Sequence, residues 1–263
     1  MSIIQRLLVP AGLKVLVTGG AAGIGATIAE GFLEAGADVY VCDIDAQALA
    51  AFRERHPGAQ GSVADVGRED EVARTVDAAA QALGGLDVLV NNAGIAGPTG
   101  GIDALAAPDW ERTIDTNLNS QFYFLRHAVP HLKQSSRNPH VIAMSSVAGR
   151  LGYPFRTPYA ATKWAIVGLM KSLAAELGPE GVRVNAVLPG VVAGPRMDRV
   201  IAARAQALGL DDAAMREQYL GKISLRRMVS AEDIAAMVLF LSTPAAANVT
   251  GQAISVDGNV EYL

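Results

Sequence analysis

Lys14-Val15-Leu16-Val17-Thr18-Gly19-Gly20-Ala21-Ala22-Gly23-Ile24-Gly25 is the stretch on which the fold turns. Its first five residues, Lys14–Thr18, are largely apolar and β-branched, the mark of a strand buried on both faces. Ile24, Ile28 and Phe32 then fall on one face of a helix over Gly23–Ala35. Between strand and helix stand Gly19, Gly23 and Gly25. Glycines there allow a tight turn and let a pyrophosphate approach the backbone. The helix N-terminus adds unpaired N–H groups and a favourable dipole. The spacing is Gly-x-x-x-Gly-x-Gly, not the commoner Gly-x-Gly-x-x-Gly. Strand before and helix after favour a phosphate site over a ligand-free glycine turn.

Outward from this unit the pattern repeats. Strands are expected at Asp38–Cys42, Gly61–Ala64, Leu86–Val90, His140–Met144, Val182–Val187 and Gln252–Val256. Helices are expected at Ala46–Arg55, Glu69–Leu83, Pro108–Leu132, Pro158–Leu177 and Ala231–Leu241. Strands alternating with helices, and strands that are almost wholly apolar, predict an α/β fold: a doubly wound parallel sheet with helices on both faces. No break in composition marks a second domain, so residues 1–263 read as one unit.

Bulk properties exclude several classes. Lys and Arg number 22 against 26 Asp and Glu, a formal charge of −4, and no long basic run supports nucleic-acid binding. Cys42 is the only cysteine, which rules out an internal disulfide. Met1–Leu8 is briefly apolar and then meets Pro10, with no cleavable signal pattern. No apolar stretch is long enough to span a bilayer. A cytoplasmic protein without a membrane partner is expected.

The chemistry-bearing residues follow strands. Asp43 closes the second strand, eighteen residues beyond Gly25. A carboxylate there accepts hydrogen bonds from both adenosine ribose hydroxyls and repels a 2′-phosphate. Ala21 and Ala22 bring no charge, and no Arg or Lys follows Asp43 before Arg53. NAD, not NADP, is the expected cofactor; a strand-end Asp that merely caps the next turn is the alternative. Further on, Tyr159 and Lys163 are four residues apart on a helix, so they share a face. An ammonium that close favours the phenolate and draws the Tyr pKa from about 10 toward neutrality. A Tyr tuned in this way exchanges a proton with an alcohol or carbonyl, and Ser146, thirteen residues upstream, can hold the same oxygen.

Together these residues resemble the short-chain dehydrogenase/reductase family from about Leu13 to Gly258. The resemblance rests on Thr18–Gly25, Asp65-Val66, Asn91-Asn92-Ala93-Gly94, Asn117, Ser146, Tyr159-x-x-x-Lys163 and Pro189-Gly190. It implies a seven-stranded Rossmann-like sheet, a homotetramer, and a catalytic tetrad of Asn117, Ser146, Tyr159 and Lys163. It further implies cofactor contacts beyond the glycines. Ile24 would meet the pyrophosphate and Asp65 and Val66 the adenine. Asn92, with Ala93 and Gly94, would meet the ribose region, and Lys163 the nicotinamide ribose. Past Pro189, the backbone of Val192 would hold the carboxamide. One position departs: family members often carry Thr five residues after the Pro, where this chain has Gly194.

Substrate recognition is the least determined part. Arg156, three residues before Tyr159, and Arg150, Arg196 and Arg199 are candidates to clamp an anion; solvated surface arginines are the alternative. In the family's 3-hydroxybutyrate dehydrogenases a Lys at the position of Arg156 binds the carboxylate and a His follows the Ser by two. Here that second position is Ala148, which disfavours that activity. The segment around 193–225, polar and helical in pattern from Pro195, reads as a substrate lid. No metal is expected: His127 and His131 have a ligand-like spacing, but Pro130 intervenes and no glutamate is suitably placed. Cys42 reads as core. The expected activity is NAD-dependent hydride transfer to or from a secondary alcohol or ketone of sugar, cyclitol or hydroxy acid type. A 3-oxoacyl-thioester reductase and a non-catalytic NAD-binding regulator are the competing readings.

Overall fold

The computed structural model describes residues 2–262. In chain order the elements are α1 Ile3–Arg6, β1 Lys14–Thr18, α2 Gly23–Glu34, β2 Asp38–Asp43, α3 Ala46–Arg55, β3 Gln60–Val63, α4 Glu69–Leu83, β4 Val88–Asn91 and α5 Ala107–Ile114. A π-helical turn over Asp115–Asn119 leads into α6 Ser120–Leu132. Then come β5 His140–Met144, α7 Thr157–Leu177, β6 Arg183–Pro189, α8 Pro195–Leu208, α9 Asp212–Gly221, α10 Ala231–Leu241 and β7 Ala253–Val256.

The strands form one parallel sheet of seven in the order β3-β2-β1-β4-β5-β6-β7. The chain runs outward from β1 through β2 to β3, then returns to place β4 on β1's other side. The carboxyl ends of β1 and β4 therefore flank the switch point, where a ligand crevice opens. Leu16, Leu89, Val141 and Val184 face α4, α6 and α7 on one side. Val15, Val17, Val39 and Val88 face α2, α3 and α10 on the other. Alternate residues of an inner strand thus enter opposite cores, so the inner strands are largely apolar, while the edge strands β3 and β7 are partly exposed. A smaller cluster of Ile201, Ala205, Met215, Tyr219 and Ile223 joins α8 and α9 to Val147, Val191 and Val260.

Local signals explain most boundaries. Asp45 caps α3 by accepting from Gln47 N–H (2.9 Å) and Ala48 N–H (3.0 Å). Ser230 and Asp233 form a reciprocal capping box on α10. Gly84 ends α4 at φ +70°. The expected single helix over Pro108–Leu132 is instead interrupted: the π-turn divides α5 from α6 and carries Asn117. α1 was not among the expected elements; a box of Ser2 and Gln5 caps its single turn. β3 begins and ends one residue earlier than expected, and β6 runs on to Pro189. No helix among the described residues is long and apolar enough to cross a membrane.

Candidate active site

A cavity of about 930 Å³ opens at the carboxyl ends of the strands. One end is lined by Gly19, Gly23, Ile24, Asp43, Asp65 and Val66; the other by Ser146, Tyr159, Lys163, Arg156, Arg196 and Tyr219. Gly25, Asn92, Ala93, Gly94, Pro189 and Val192 line it as well. Every expected cofactor-binding residue thus borders one space, although some 170 residues of chain separate the first from the last.

The glycine turn is shaped by close approach. Gly19 and Gly23 have φ of +59° and +54°, which a side chain would make costly. A Cβ on Gly25 would fall onto the Gly19 carbonyl and the Asn92 amide. Asn92 Nδ2 donates to the carbonyls of Thr18 (2.9 Å) and Gly19 (3.1 Å), which locks the end of β4 to the turn. Thr18 Oγ1 accepts from the N–H groups of Asn92 (3.0 Å) and Ala93 (2.9 Å). Thr18, read from sequence only as the start of a motif, is therefore the buried hub of this junction. Ala22 offers α2 no side-chain cap, and a Cβ on Gly23 would meet nothing within 4 Å. An uncapped helix N-terminus facing open space, with no side chain in the way, suits a pyrophosphate.

At the end of β2, Asp43 accepts from Ala21 N–H (3.1 Å) and from Asp45 N–H (3.1 Å), one donor per oxygen. These bonds orient the carboxylate and leave lone pairs for two ribose hydroxyls. Arg68 lines the same end, but Glu71 (2.8 Å) and Asp70 (3.6 Å) hold its guanidinium. Asp65 closes a turn on Gly67 N–H (2.9 Å), which presents Val66 to the cavity. Val192 bridges Val229 in parallel. Its neighbours make the bonds, Val229 N–H to Val191 and Ala193 N–H to Val229, so Val192's own N–H and C=O point the other way. A purine, ribose, pyrophosphate and carboxamide can all be matched by these groups.

At the other end the proton-transfer groups converge. Lys163 Nζ lies 5.5 Å from the Tyr159 ring centroid and donates to the Met144 carbonyl (2.8 Å). Ser145 Oγ fixes the backbone of Lys163 (2.7 Å). Ser146 Oγ accepts from Ala148 N–H (3.2 Å), which aims its proton outward. Burial alone would push the Tyr159 phenol up. Lys163, Arg196, a hydrogen bond from Ser146 and then Arg156 outweigh it and hold the phenol below its ordinary value. Burial, with Arg196 adding to it, holds Lys163 below the usual ammonium range against the opposing pull of Tyr159. Asn117 is fully buried. Its Oδ1 accepts from Ile95 N–H (2.7 Å), and its Nδ2 donates to the Ile95 carbonyl (3.0 Å) and Thr162 (3.3 Å). The amide anchors the loop after β4, and Gly94 separates it from Lys163: a Cβ there would lie 3.1 Å from Asn117 Oδ1 and 3.7 Å from Lys163 Nζ.

The arginines divide. Arg150 is not in the cavity wall; it pairs with Asp257 (2.7 Å) and donates to the Val260 carbonyl (2.7 Å). Its expected place on the substrate gives way to a tether for the C-terminal segment. Arg156, Arg196 and Arg199 do line the cavity. Tyr153, Tyr219 and Arg204, not singled out from sequence, sit beside them. Tyr153 and Tyr219 share a hydroxyl–hydroxyl bond (2.8 Å), and Arg204 lies 5.3 Å from the Tyr153 ring centroid. Only their partners in space mark them. Gly194 has φ +136°, a conformation that would strain a Thr and that favours glycine at the entry to α8. Cys42 is fully buried, and burial pushes its thiol up to about 12, as suits a core residue.

Known proteins resemble this chain over nearly its whole length. A family model described as Enoyl-(Acyl carrier protein) reductase matches residues 19–260. A probable galactose dehydrogenase of Rhizobium meliloti is 34% identical, with 94% of each chain covered. A 3-oxoacyl-[acyl-carrier-protein] reductase of Thermotoga maritima is 35% identical over 93% of this chain and 96% of its own. The crystal structure of an NAD⁺-bound xylitol dehydrogenase superposes with a TM-score of 0.89 at 28% identity, covering 95% of this chain and 99% of that one. With the Gly-rich turn and the Ser-Tyr-Lys cluster at one cleft, these likenesses show that the chain belongs to the short-chain dehydrogenase/reductase family, oxidoreductases that work with a nicotinamide cofactor.

Proposed function

We propose that this protein is an NAD-dependent dehydrogenase and ketone reductase acting on a secondary alcohol of the sugar, cyclitol or hydroxy acid type. The observation that carries this reading is the phenol of Tyr159, held below its ordinary pKa by Lys163, Arg196 and Ser146 against the effect of burial. A site that only bound a nucleotide would have no use for such a phenol, which speaks against a non-catalytic regulator.

In the oxidative direction Tyr159, as phenolate, accepts the hydroxyl proton of the substrate, and Ser146 holds the same oxygen. In reduction Tyr159 returns the proton. The bound nicotinamide would supply the hydride acceptor or donor. Lys163 is the foremost of the groups that lower the phenol's pKa and so favour the phenolate, and Asn117 keeps the Gly94–Ile95 loop in place beside it. Gly19, Gly23, Ile24 and Gly25 would hold the pyrophosphate, Asp43 the adenosine ribose, Asp65 and Val66 the adenine. Asn92, Ala93 and Gly94 would meet the ribose region, and Pro189 and Val192 the carboxamide. Asp43 is the ground for NAD over NADP. It also weighs against biosynthetic 3-oxoacyl-thioester reduction, which commonly draws on NADPH. The helices of 193–225 serve as the lid over the substrate end.

The test is NADH formation across a panel of secondary alcohols, run with each cofactor. Turnover of at least one polyol, cyclitol or hydroxy acid with NAD is expected. A protein that turns over only 3-oxoacyl thioesters with NADPH would overturn the reading.

A further inference from the structure

Tyr153 stands between two spaces. It lines the active-site cavity, and it also lines a neighbouring surface groove formed with Leu151, Pro154, Ala161, Trp164 and Tyr262. Among the described residues it is the only one that borders both. The groove is largely apolar, with Trp164 and Tyr262 more than half exposed. On the cavity side the Tyr153 ring meets that of Tyr159 edge-on, with centroids 6.5 Å apart and planes at 75°. The residue that divides the two spaces is thus a ring neighbour of the residue that exchanges the proton.

The Tyr153 ring is fixed from several directions. Its hydroxyl bonds that of Tyr219 on α9 (2.8 Å). Tyr219 is buried and packs with α8, Val147 and Val191. Arg204 on α8, itself buried, lies 5.3 Å from the Tyr153 centroid and 5.6 Å from that of Tyr219. Its Nη1 donates to the Tyr219 hydroxyl (3.3 Å). Arg156, at the N-cap of α7, lies 5.3 Å from the Tyr153 centroid, and its backbone N–H donates to the Tyr153 carbonyl (3.2 Å). Cation–aromatic contacts are stronger when desolvated, so two buried guanidinium groups hold this ring. Burial first, then Tyr219, raises the Tyr153 phenol above its ordinary value. Tyr153 therefore keeps its proton near neutral pH and does not compete with Tyr159 as a base.

Resting on the function proposed above and narrowing its substrate class, we infer that Tyr153, latched to Tyr219 and pinned by Arg204, is the end wall of the substrate space and limits substrate length. The enzyme then takes compact secondary alcohols, such as a cyclitol or a short polyol, and rejects one whose chain would run through the Tyr153 ring. With the ring removed, a chain that starts at Tyr159 would continue into the groove against Leu151 and Trp164. Each methylene withdrawn from water there favours binding about fourfold.

A chain-length series tests this on the protein with saturating NAD. 2-Butanone, 2-hexanone, 2-octanone and 2-decanone are titrated calorimetrically, a pairing in which ketone and NAD cannot react. The matching 2-alkanols are followed in parallel by NADH formation. In the parent, affinity should stop rising after the short members. In Tyr153→Ala, affinity for 2-decanone relative to 2-butanone should exceed the parental ratio on the order of 10- to 100-fold, the effect of two or three methylenes. A ratio within one protein cancels any general loss of affinity. Tyr153→Phe, which keeps the ring, should keep the parental limit. Tyr153→Val carries the same expectation as alanine should the alanine variant not fold. Trp164 emission should change when the tail arrives in Tyr153→Ala, and Trp164→Phe should remove that change. A parent whose affinity climbs steadily to 2-decanone would overturn the wall. So would a truncated variant that keeps the parental ratio or binds no 2-decanone. Either result leaves the dehydrogenase reading intact if short alcohols or polyols yield NADH. A limit lifted by truncation, with no NADH formed from any alcohol, would instead keep the wall and sink that reading.

Discussion

Replacing Asp43 by alanine is expected to collapse the preference for NAD. The magnitude follows from the site. Each carboxylate oxygen already has one backbone donor, Ala21 N–H or Asp45 N–H, both at 3.1 Å. The remaining lone pairs would accept two ribose hydroxyls, and hydrogen bonds to a charged group are worth about 1.5–3 kcal/mol each. A 2′-phosphate in that place would bring a charge of about −1.5 to −2 against the carboxylate. At about 4 Å one pair of unit charges repels by roughly 1 kcal/mol in water and 4 kcal/mol at a typical protein surface. Asp43 is half-buried, so a net penalty of about 2–3 kcal/mol is reasonable. Arg68 offers little relief because Glu71 holds it at 2.8 Å. A 2′-phosphate forfeits only the bond from the 2′-hydroxyl, so that loss and the repulsion together come to about 3.5–6 kcal/mol, a discrimination on the order of 1,000- to 10,000-fold at roughly 1.4 kcal/mol per factor of ten. Alanine removes both terms. Activity with NAD should fall, activity with NADP should rise, and the two should come within about tenfold. The free protein should also lose about 1–3 kcal/mol of stability, because the buried Ala21 N–H loses its acceptor. Steady-state kcat/KM with each cofactor at fixed saturating substrate is the assay. A parent enzyme that uses NADP as well as NAD, or a ratio unchanged in Asp43→Ala, would refute the reasoning.

Four further outcomes are expected. Lys163→Met removes the cation that does most to oppose burial at Tyr159; the Tyr159 pKa then rises, so the pH at which oxidation reaches its plateau should shift upward, and an unmoved pH–rate profile would argue against the pairing. In the parent, oxidation needs phenolate and reduction needs phenol, so oxidation should rise and reduction should fall as pH increases through a value below 10. Gly25→Ala places a methyl on the Gly19 carbonyl and Asn92, and should abolish NAD binding in a fluorescence titration or prevent folding outright. His140 is fully buried beside Arg183 and, through burial first, is held well below the ordinary imidazole value of about 6.5. The fold therefore refuses a proton that the unfolded chain takes up below pH 6.5, and stability falls with acidity by up to about 1.4 kcal/mol per pH unit. His140→Gln, which keeps an acceptor for Asn185 (3.0 Å), should melt with less dependence on pH between about 6.5 and 5.

Assembly is a separate expectation. Phe122 on α6 and Trp164 on α7 are 50% and 51% exposed, apolar area that a twofold contact between copies would cover. Light scattering should find a tetramer; a monomer at micromolar concentration would contradict it. At the C-terminus Val260 is buried against its own chain and Tyr262 is exposed; Leu263 lies outside the described residues.

The inner strands were legible because they are short and largely apolar on both faces, whereas edge strand β3, Gln60-Gly61-Ser62-Val63, is polar and was placed one residue off; the helices were legible because their caps are spelled out locally by Asp45, Gly84 and Ser230. The cofactor half of the cavity was legible for a related reason. Its groups follow strand ends in order, and a parallel sheet brings strand ends together. The substrate half was harder to read. Arg150 and Arg156 are alike in sequence, yet one meets Asp257, just past β7 and more than 100 residues away, and the other meets no acid among the described residues. Tyr219 and Arg204 reach Tyr153 only through the packing of α8 on α9. The π-turn at Asn117 left no periodic signature, because one extra residue in a helix barely disturbs a hydrophobic pattern.

The central claim is that Tyr159 exchanges the substrate proton. It is tested most directly by single-turnover NADH formation with Tyr159→Phe, alongside NAD affinity measured on the same variant. The account predicts a rate reduced by roughly a hundredfold to ten-thousandfold, with NAD affinity nearly unchanged because only the phenol oxygen is lost. A variant retaining more than about a tenth of the parental rate, against that expected loss, would contradict it.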